Sequence, residues 1–395
     1  MIKVAFLGSG YSKEWMGGVN YINNLLYAIA QLEDKKIEPI VFLGMNVDEE
    51  IKKKLSKNAQ IVQDSLFDMK SFKWYVHKII EKFLKKTPLL NPLLKKYGIK
   101  VVSHSDIKEG CESFVKINWI PDFQHVHLPE FFSEEENKKR DVAFSNILRK
   151  SDCVIVSSHN AYVDAKEFSP DNIDKVRVLQ FVSQPNDRVF SLTSEYITTL
   201  EKKYGFEGKF FYLPNQFWKH KNHMLVFKAV KALKDQGVNV LLLCSGHMKD
   251  FRNPLYIEEV KYYLKENSLE KNIKLLGLID YDDVLYFMKY SVTVINPSLF
   301  EGWSSTVEEC KSIGKNMILS DIKIHREQNP QNSFYFHPKE VSSLVEVIQK
   351  AWNSLGKENL ISEIEAKEKL QKRTAEFADT YQNIVLDTIN NKEIR

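Results

Sequence analysis

Glycine and proline are scarce in this chain, with 15 and 12 copies in 395 residues. That excludes collagen-like and low-complexity architectures, and 43% hydrophobic with 12% aromatic residues is the composition of a soluble globular protein. Cysteine is scarcer still. Its four copies, Cys111, Cys153, Cys244 and Cys310, form no CxxC pair, so the expectation is a reduced cytosolic thiol set. Charge of one sign is also missing: 56 basic residues face 52 acidic ones, a net +4, too balanced for nucleic acid as the main partner. Nor is there a long apolar run. Val4-Ala-Phe-Leu7 meets glycine at once and reads as a first strand, with no signal peptide or membrane span anywhere. What is left is a globular chain long enough for two domains, each with its own core.

Taken in order, residues 2–7 read as a buried strand, followed by Gly8-Ser-Gly10 and a loop to Gly17-Gly18. A helix then carries Val19, Ile22, Leu25, Leu26 and Ile29 at helical spacing, and Ile37 to Leu43 is the next strand. This order predicts a parallel sheet with covering helices. The dinucleotide fingerprint fails, because Lys13 stands where a third glycine belongs, and this speaks against NAD. Gly17-Gly18 before a helix suits either a close backbone approach to a phosphate or acceptor, or a flexible turn.

Residues 68–97 interleave Phe72, Trp74, Tyr75, Val76, Ile79, Ile80, Phe83 and Leu84 with Lys70, Lys73, Lys78, Lys82, Lys85 and Lys86. A basic amphipathic helix of this kind can lie on an anionic bilayer, and an ordinary packed helix is the other reading. Next, a strand over 116–120 leads into a loop holding Asp122, Gln124, His125 and His127, at the strand end where open α/β sheets place ligands. No further Cys/His set supports zinc there. Residues 134–150 form a charged helix, 154–158 a strand, and 176–178 begins the last strand of this half.

The stretch 183–208 looks like a boundary, after which the pattern restarts. Strands are expected at 210–213, 238–243, 273–276, 292–295 and 317–319, with helices at 254–266, 281–290, 340–353 and 358–390 and one through Leu225 to Leu233. The 238–243 strand ends at Ser245-Gly246, and the 273–276 strand at Gly277. Between the last two strands lies Pro297-Ser-Leu-Phe-Glu-Gly-Trp-Ser-Ser-Thr-Val-Glu-Glu309. It turns through Gly302 and opens a helix near Ser304, since Ser305 with Glu308 and Thr306 with Glu309 fit capping-box spacing. A helix start after a strand is an anion site, and here Glu301 and Glu309 bracket it. A phosphate-bearing ligand with flanking hydroxyls, such as a nucleotide-sugar, suits that arrangement.

Two glutamates separated by seven residues in this context resemble the signature of retaining glycosyltransferases of the GT-B fold, "glycosyl transferases group 1" (family 4). Asn215-Gln-Phe-Trp-Lys-His-Lys-Asn-His223, Trp119 to His125 with Pro129 to Phe132, and Ser320 to Gln328 are similar to a bacterial branch of it. The resemblance is strong over 210–330 and thin over 45–110. It implies an α/β chain of two Rossmann-like domains facing across a central cleft: an acceptor-side domain over 1–190 and a donor domain over 191–374, with a helix at about 375–395 packing back on the first. By the same resemblance Glu309 takes ribose hydroxyls and Glu301 hydroxyls of the transferred sugar. Lys221 neutralises the diphosphate, and amides around Ser304, Ser305 and Thr306 hold its oxygens. Backbone near Gly277 to Ile279 faces the base, and His125 lies beside the donor sugar, with His127 as the competing choice. The catalytic set is then His125, Lys221 and Glu301. The nucleotide-sugar set is Gly17, Gly18, Gln216, Gly246, Gly277, Ile279, Gly302, Ser304, Ser305, Thr306 and Glu309.

Gln216 departs from the family, which often has arginine there. His220, Lys219 or Arg326 is expected to compensate, or Lys221 and amides suffice. Neither a cofactor nor a metal is expected, the UDP- or GDP-linked sugar being substrate. The function expected is transfer of that sugar to a glycan or glycolipid acceptor in bacterial surface polysaccharide (lipopolysaccharide, O-antigen or capsule). The place expected is the cytoplasm, at the inner face of the membrane if residues 68–97 touch it. A fold-keeping, inactive membrane-docked assembly partner is the alternative, and a nucleotide-sugar epimerase or dehydrogenase a more distant one.

Overall fold

The computed structural model describes residues 1–12, 15–84, 87–105, 110–185, 188–191, 195–356 and 362–394, without the side chains of Lys82 and Leu84. Lys13, Lys85 and Lys86, used in the reading above, lie outside them. Two compact units divide the chain. One comprises Met1–Phe123, Lys138–Val182 and Lys372–Arg395, the other Gln124–Asn137 and Ser183–Gln371. The loop with both histidines, expected in the first domain, is therefore grouped with the second unit.

Among the described residues of the first unit, seven parallel strands run in the order β3-β2-β1-β4-β5-β6-β7. They are β1 (Ile2–Leu7), β2 (Ile37–Leu43), β3 (Gln60–Gln63), β4 (Ile99–Ser103), β5 (Val115–Ile120), β6 (Cys153–Val156) and β7 (Val176–Val178). Their Val/Ile-rich runs are buried, as a parallel sheet covered by helices requires. The reading of residues 2–7, 37–43 and 176–178 as strands holds, while β3 and the central β4 went unread. Helix Glu363–Glu393 runs through Lys372, where the first unit's final segment begins. Beyond that point the Tyr381 hydroxyl donates to Ser103 Oγ at 2.8 Å and Lys392 pairs with Asp152 at 2.8 Å.

Gly17 and Gly18 do not precede the first helix. They lie in its first turn, since it spans Met16–Ala30. A Cβ on Gly18 would come within 2.0 Å of the Trp15 indole, so close ring packing explains that glycine, while a Cβ on Gly17 would meet open space. Helix Phe72–Leu84 forms as the periodicity predicts. Its lysines are partly committed: Lys73 pairs with Asp64 at 2.6 Å and Lys78 with Glu81 at 3.3 Å.

In the second unit six parallel strands run β10-β9-β8-β11-β12-β13 among the described residues. They are β8 (Phe211–Leu213), β9 (Leu242–Ser245), β10 (Ile273–Gly277), β11 (Val294–Asn296), β12 (Met317–Ser320) and β13 (Phe334–Phe336). β9 sits later in the chain than the 238–243 expected, and β13 was unread. The sheet is covered by helices that include His223–Asp235, Tyr256–Glu266 and Val341–Ser354, the last two within two residues of expectation. The four cysteines are buried and free, Cys111 and Cys153 in the first unit, Cys244 and Cys310 in the second. Burial pushes all four thiols up, Cys153 to about 11. Among the described residues no helix is long and apolar enough to cross a membrane.

Candidate active site

The carboxyl ends of β8 to β12 bring the second-half motifs together. The loop after β8 forms a tight turn over Lys219–Lys221, closed by Asn222 in the left-handed conformation at φ 57°. Asn222 Nδ2 donates to the carbonyls of Pro297 at 3.2 Å and Pro338 at 3.0 Å. The Leu299 amide donates to the His220 carbonyl at 2.8 Å. These ties pin the turn onto the segment after β11, and Lys221 Nζ meets Glu301 Oε1 at 2.6 Å. Both side chains are mostly buried. Burial raises the Glu301 carboxyl, but Lys221 and the Ser298 hydroxyl, donating at 2.6 Å, outweigh it and hold it below the usual range. Two residues 80 positions apart thus form one buried ion pair, costly to break because the survivor would be an uncompensated charge.

The helix start is built differently from the expected capping boxes. Helix Ser305–Ile313 is capped by Ser304, whose Oγ accepts from the Val307 amide at 3.5 Å and from Asn296 Nδ2 at 2.8 Å. Glu308 is turned to Gln328 and Lys311, each at 3.1 Å. Gln328 clasps the Ser304 backbone, accepting from its amide at 3.1 Å and donating to its carbonyl at 3.0 Å. The Ser304 N–H is therefore committed inside the protein.

Glu309, just past the first turn of the helix, accepts from the Tyr281 hydroxyl at 2.9 Å. Tyr281 opens the helix after β10, so the glutamate's direction is set from the far side of β8 and β9 in the sheet. Gly246 stands where the end of β9 meets the loop after β8. A Cβ there would sit 2.4 Å from the Asn215 carbonyl oxygen, at a φ of +143°, so only glycine fits. Its amide donates to the Gly277 carbonyl at 2.9 Å, placing Gly246 and Gly277 side by side. Ile279 follows, half-buried, and Gln216 is exposed beside the same loop.

The two histidines of the early loop part ways. His125 is buried, its ring edge-on to Phe132 at 6.4 Å. His127 is exposed and stacks on Phe300, the residue before Glu301, at 5.1 Å. Three further imidazoles are buried nearby. Burial and the Lys221 charge hold His220 down to about 3, and burial lowers His223 to about 3 and His325 to about 4. His325 Nδ1 donates to the Ser320 carbonyl at 2.9 Å, so its neutral ring presents Nε2 as a buried acceptor.

Of the groups considered as substitutes for arginine at 216, His220 is thus uncharged near neutral pH. Arg326 is spent on Asp321 through two bonds of 2.7 and 2.8 Å and on the Tyr335 ring at 3.7 Å. Lys219 is exposed, its amide bonded to Asp250 at 2.9 Å. Tyr281, Ser298, Phe300 and Gln328 were not singled out as site residues by sequence. Only Ser298, Phe300 and Gln328 lay within quoted motifs.

Residues 197–371 match the family described as "Glycosyl transferases group 1". No curated protein matches the chain. Among solved structures, HepE of Anabaena in complex with UDP and glucose is similar over 100% of this chain and 99% of its own, with TM-score 0.65 and 15% identity. A glycosyltransferase from Rickettsia africae is similar over 100% and 97%, with TM-score 0.62 and 16% identity. The lipopolysaccharide outer core galactosyltransferase WaaB, in its apo form, is similar over 98% and 99%, with TM-score 0.59 and 14% identity. The fold is that of the GT-B glycosyltransferases, with two Rossmann-like α/β units. The second unit carries a group 1 glycosyltransferase domain, and the protein is a glycosyltransferase.

Proposed function

We propose that this enzyme is a retaining, family 4 transferase that moves a sugar from a UDP- or GDP-linked donor to a glycan or lipid-linked acceptor of bacterial surface polysaccharide. The observation that carries the reading is the buried Lys221–Glu301 pair beside the start of the helix that bears Glu309. The bond that breaks joins the anomeric carbon to a diphosphate oxygen, and negative charge grows on that oxygen. Lys221 and the amides of Ser305 and Thr306 are suited to stabilise it. The new bond forms from an acceptor hydroxyl to the same carbon, and its proton goes to the leaving phosphate. Glu301, clamped by Lys221 and Ser298, positions sugar hydroxyls rather than attacking, and Glu309 takes the ribose. Gln216, Gly246, Gly277, Ile279 and Gly302 contribute backbone around the nucleotide. His125 and His127 compete for the sugar, and the stacking of His127 on Phe300 favours His127. HepE, crystallised with UDP and glucose, supports a nucleotide-sugar as donor.

The first unit supports an amphiphilic acceptor. A cavity of about 140 Å³ lies between helix Phe72–Leu84 and the ends of β1 and β4, lined by Ser9, Trp74, His77, Lys78, Glu81 and Ser105 among others. On the same helix Phe72, Tyr75, Ile79 and Phe83, spaced three, four and four apart, are 85%, 49%, 56% and 75% exposed. Residues 68–97 contain eight lysines and two acidic residues, Asp68 and Glu81. An apolar stripe within a basic segment suits the anionic inner face of a cell membrane. Thermal shift with a panel of UDP- and GDP-sugars, followed by donor consumption and the product's anomeric configuration, tests the reading. No stabilisation by any donor, or an inverted product, would overturn it.

A further inference from the structure

The segment Gln124–Asn137 carries both candidate histidines and belongs to the second unit, although the residues on either side of it in sequence belong to the first. It is folded on itself, with Asn137 Nδ2 donating to the Pro129 carbonyl at 3.1 Å and the Phe131 amide to the Leu128 carbonyl at 3.1 Å. At its far end Glu136 accepts from Arg252 Nη2 at 2.8 Å and Nε at 3.1 Å. The same guanidinium lies over the Phe132 ring at 4.2 Å and the Phe251 ring at 4.6 Å, and its side chain is only 15% exposed. A charged fork held by a carboxylate and two aromatic faces is a geometry that lysine cannot reproduce.

The foot of Arg252 is fixed just as firmly. Asp250 accepts the Arg252 amide at 2.9 Å through one oxygen and the Lys219 amide at 2.9 Å through the other. One carboxylate thus joins the loop of Arg252 to the turn that carries Lys221. At the near end of the segment His127 rests on Phe300, next to Glu301. The segment is seated at two places: on Arg252, and on the residue adjoining the ion pair.

We propose that Arg252, through Glu136 and Phe132, is a positioning residue that holds the 124–137 segment so that His127 is presented at the sugar end of the donor site. The proposal rests on the nucleotide-sugar reading above. Arg252 touches neither nucleotide nor sugar in this role. It sets where a sugar-contacting group stands, so its loss is read in sugar recognition and leaves nucleotide affinity alone.

The test uses the full chain and whichever pair, UDP with UDP-glucose or GDP with GDP-mannose, stabilises the wild type. Arg252→Lys and Glu136→Gln are expected to raise KM for the nucleotide-sugar about tenfold or more, with inhibition by the bare nucleoside diphosphate unchanged within about twofold. His127→Ala, which leaves the latch intact, should reproduce the KM effect with an unchanged melting temperature. A parallel rise in the nucleotide inhibition constant, or wild-type kinetics in Arg252→Lys, would overturn the proposal. If neither nucleotide stabilises the wild type, it is the donor reading that fails instead.

Discussion

The segment from β11 to Gln328 and the helix Phe72–Leu84 treat exposed and buried groups in opposite ways. In the first, Asn296, Ser298, Glu301, Ser304, Glu308 and Gln328 are knitted together by hydrogen bonds between 2.6 and 3.1 Å. In the second, four large apolar side chains face outward at helical spacing. Buried polar networks fix atoms to within tenths of an ångström, as a transfer reaction needs. An apolar stripe fixes nothing by itself and gains only from what covers it. One region fixes geometry, and the other serves adhesion only in the function proposed above.

The sharpest way to break this contrast is Lys221→Ala. It removes a suitable charge for the leaving diphosphate and strands a buried carboxylate, so turnover should fall about 10²–10³-fold in a donor-consumption assay. Acid tests the same region next. His220, His223 and His325 are held neutral in the fold, whereas in the unfolded chain they take up protons near pH 6.5. The unfolded state binds more protons below that pH, so stability is complete above about 6.5 and falls as pH drops towards 4. His325 alone, lowered to about 4, contributes a loss of up to about 3 kcal/mol across that window. His104, held down to about 3 by burial, adds a similar term in the first unit, so thermal melts should show both units losing stability across that window.

Glu309→Ala should weaken nucleotide binding about tenfold, read as a smaller ligand-induced rise in melting temperature. The smallest effect on the folded protein is expected from F72S/I79S/F83S. Its melting temperature should stay within about 2 °C, with activity on a water-soluble acceptor retained, while co-sedimentation with anionic vesicles is lost. If that variant lost activity on every acceptor, the contrast between the two regions would collapse.

Much of the architecture was legible in sequence because it is local. Apolar runs bounded by glycine located most strands, and the Pro297–Glu309 motif located the helix start. Short or atypical strands escaped: β4, Ile99-Lys-Val-Val-Ser103, follows a lysine-rich stretch, and β13 is only Phe334-Tyr-Phe336. Within the site, the meeting of Lys221 and Glu301 went unread: family likeness gave each a separate duty, and 80 residues separate them. Tyr281 on Glu309, Gln328 on Ser304 and Arg252 on Glu136 are pairings between distant segments, with no periodicity to announce them. The helix start near Ser304 was legible but its cap was not, because Ser304, Ser305 and Thr306 all offer a hydroxyl and only tertiary contacts select Ser304 over the two expected boxes.

The buried cysteines have a practical consequence. Alkylating reagents capture thiolates, and each of these thiols is both shielded and held protonated in the native state. Each can react only while its surroundings transiently open. Cys111 and Cys153 then act as stopwatches for the first unit, and Cys244 and Cys310 for the second, within one unmodified chain. Timed alkylation read peptide by peptide would report the opening rate of each unit separately, and whether a donor nucleotide slows only the second pair of clocks.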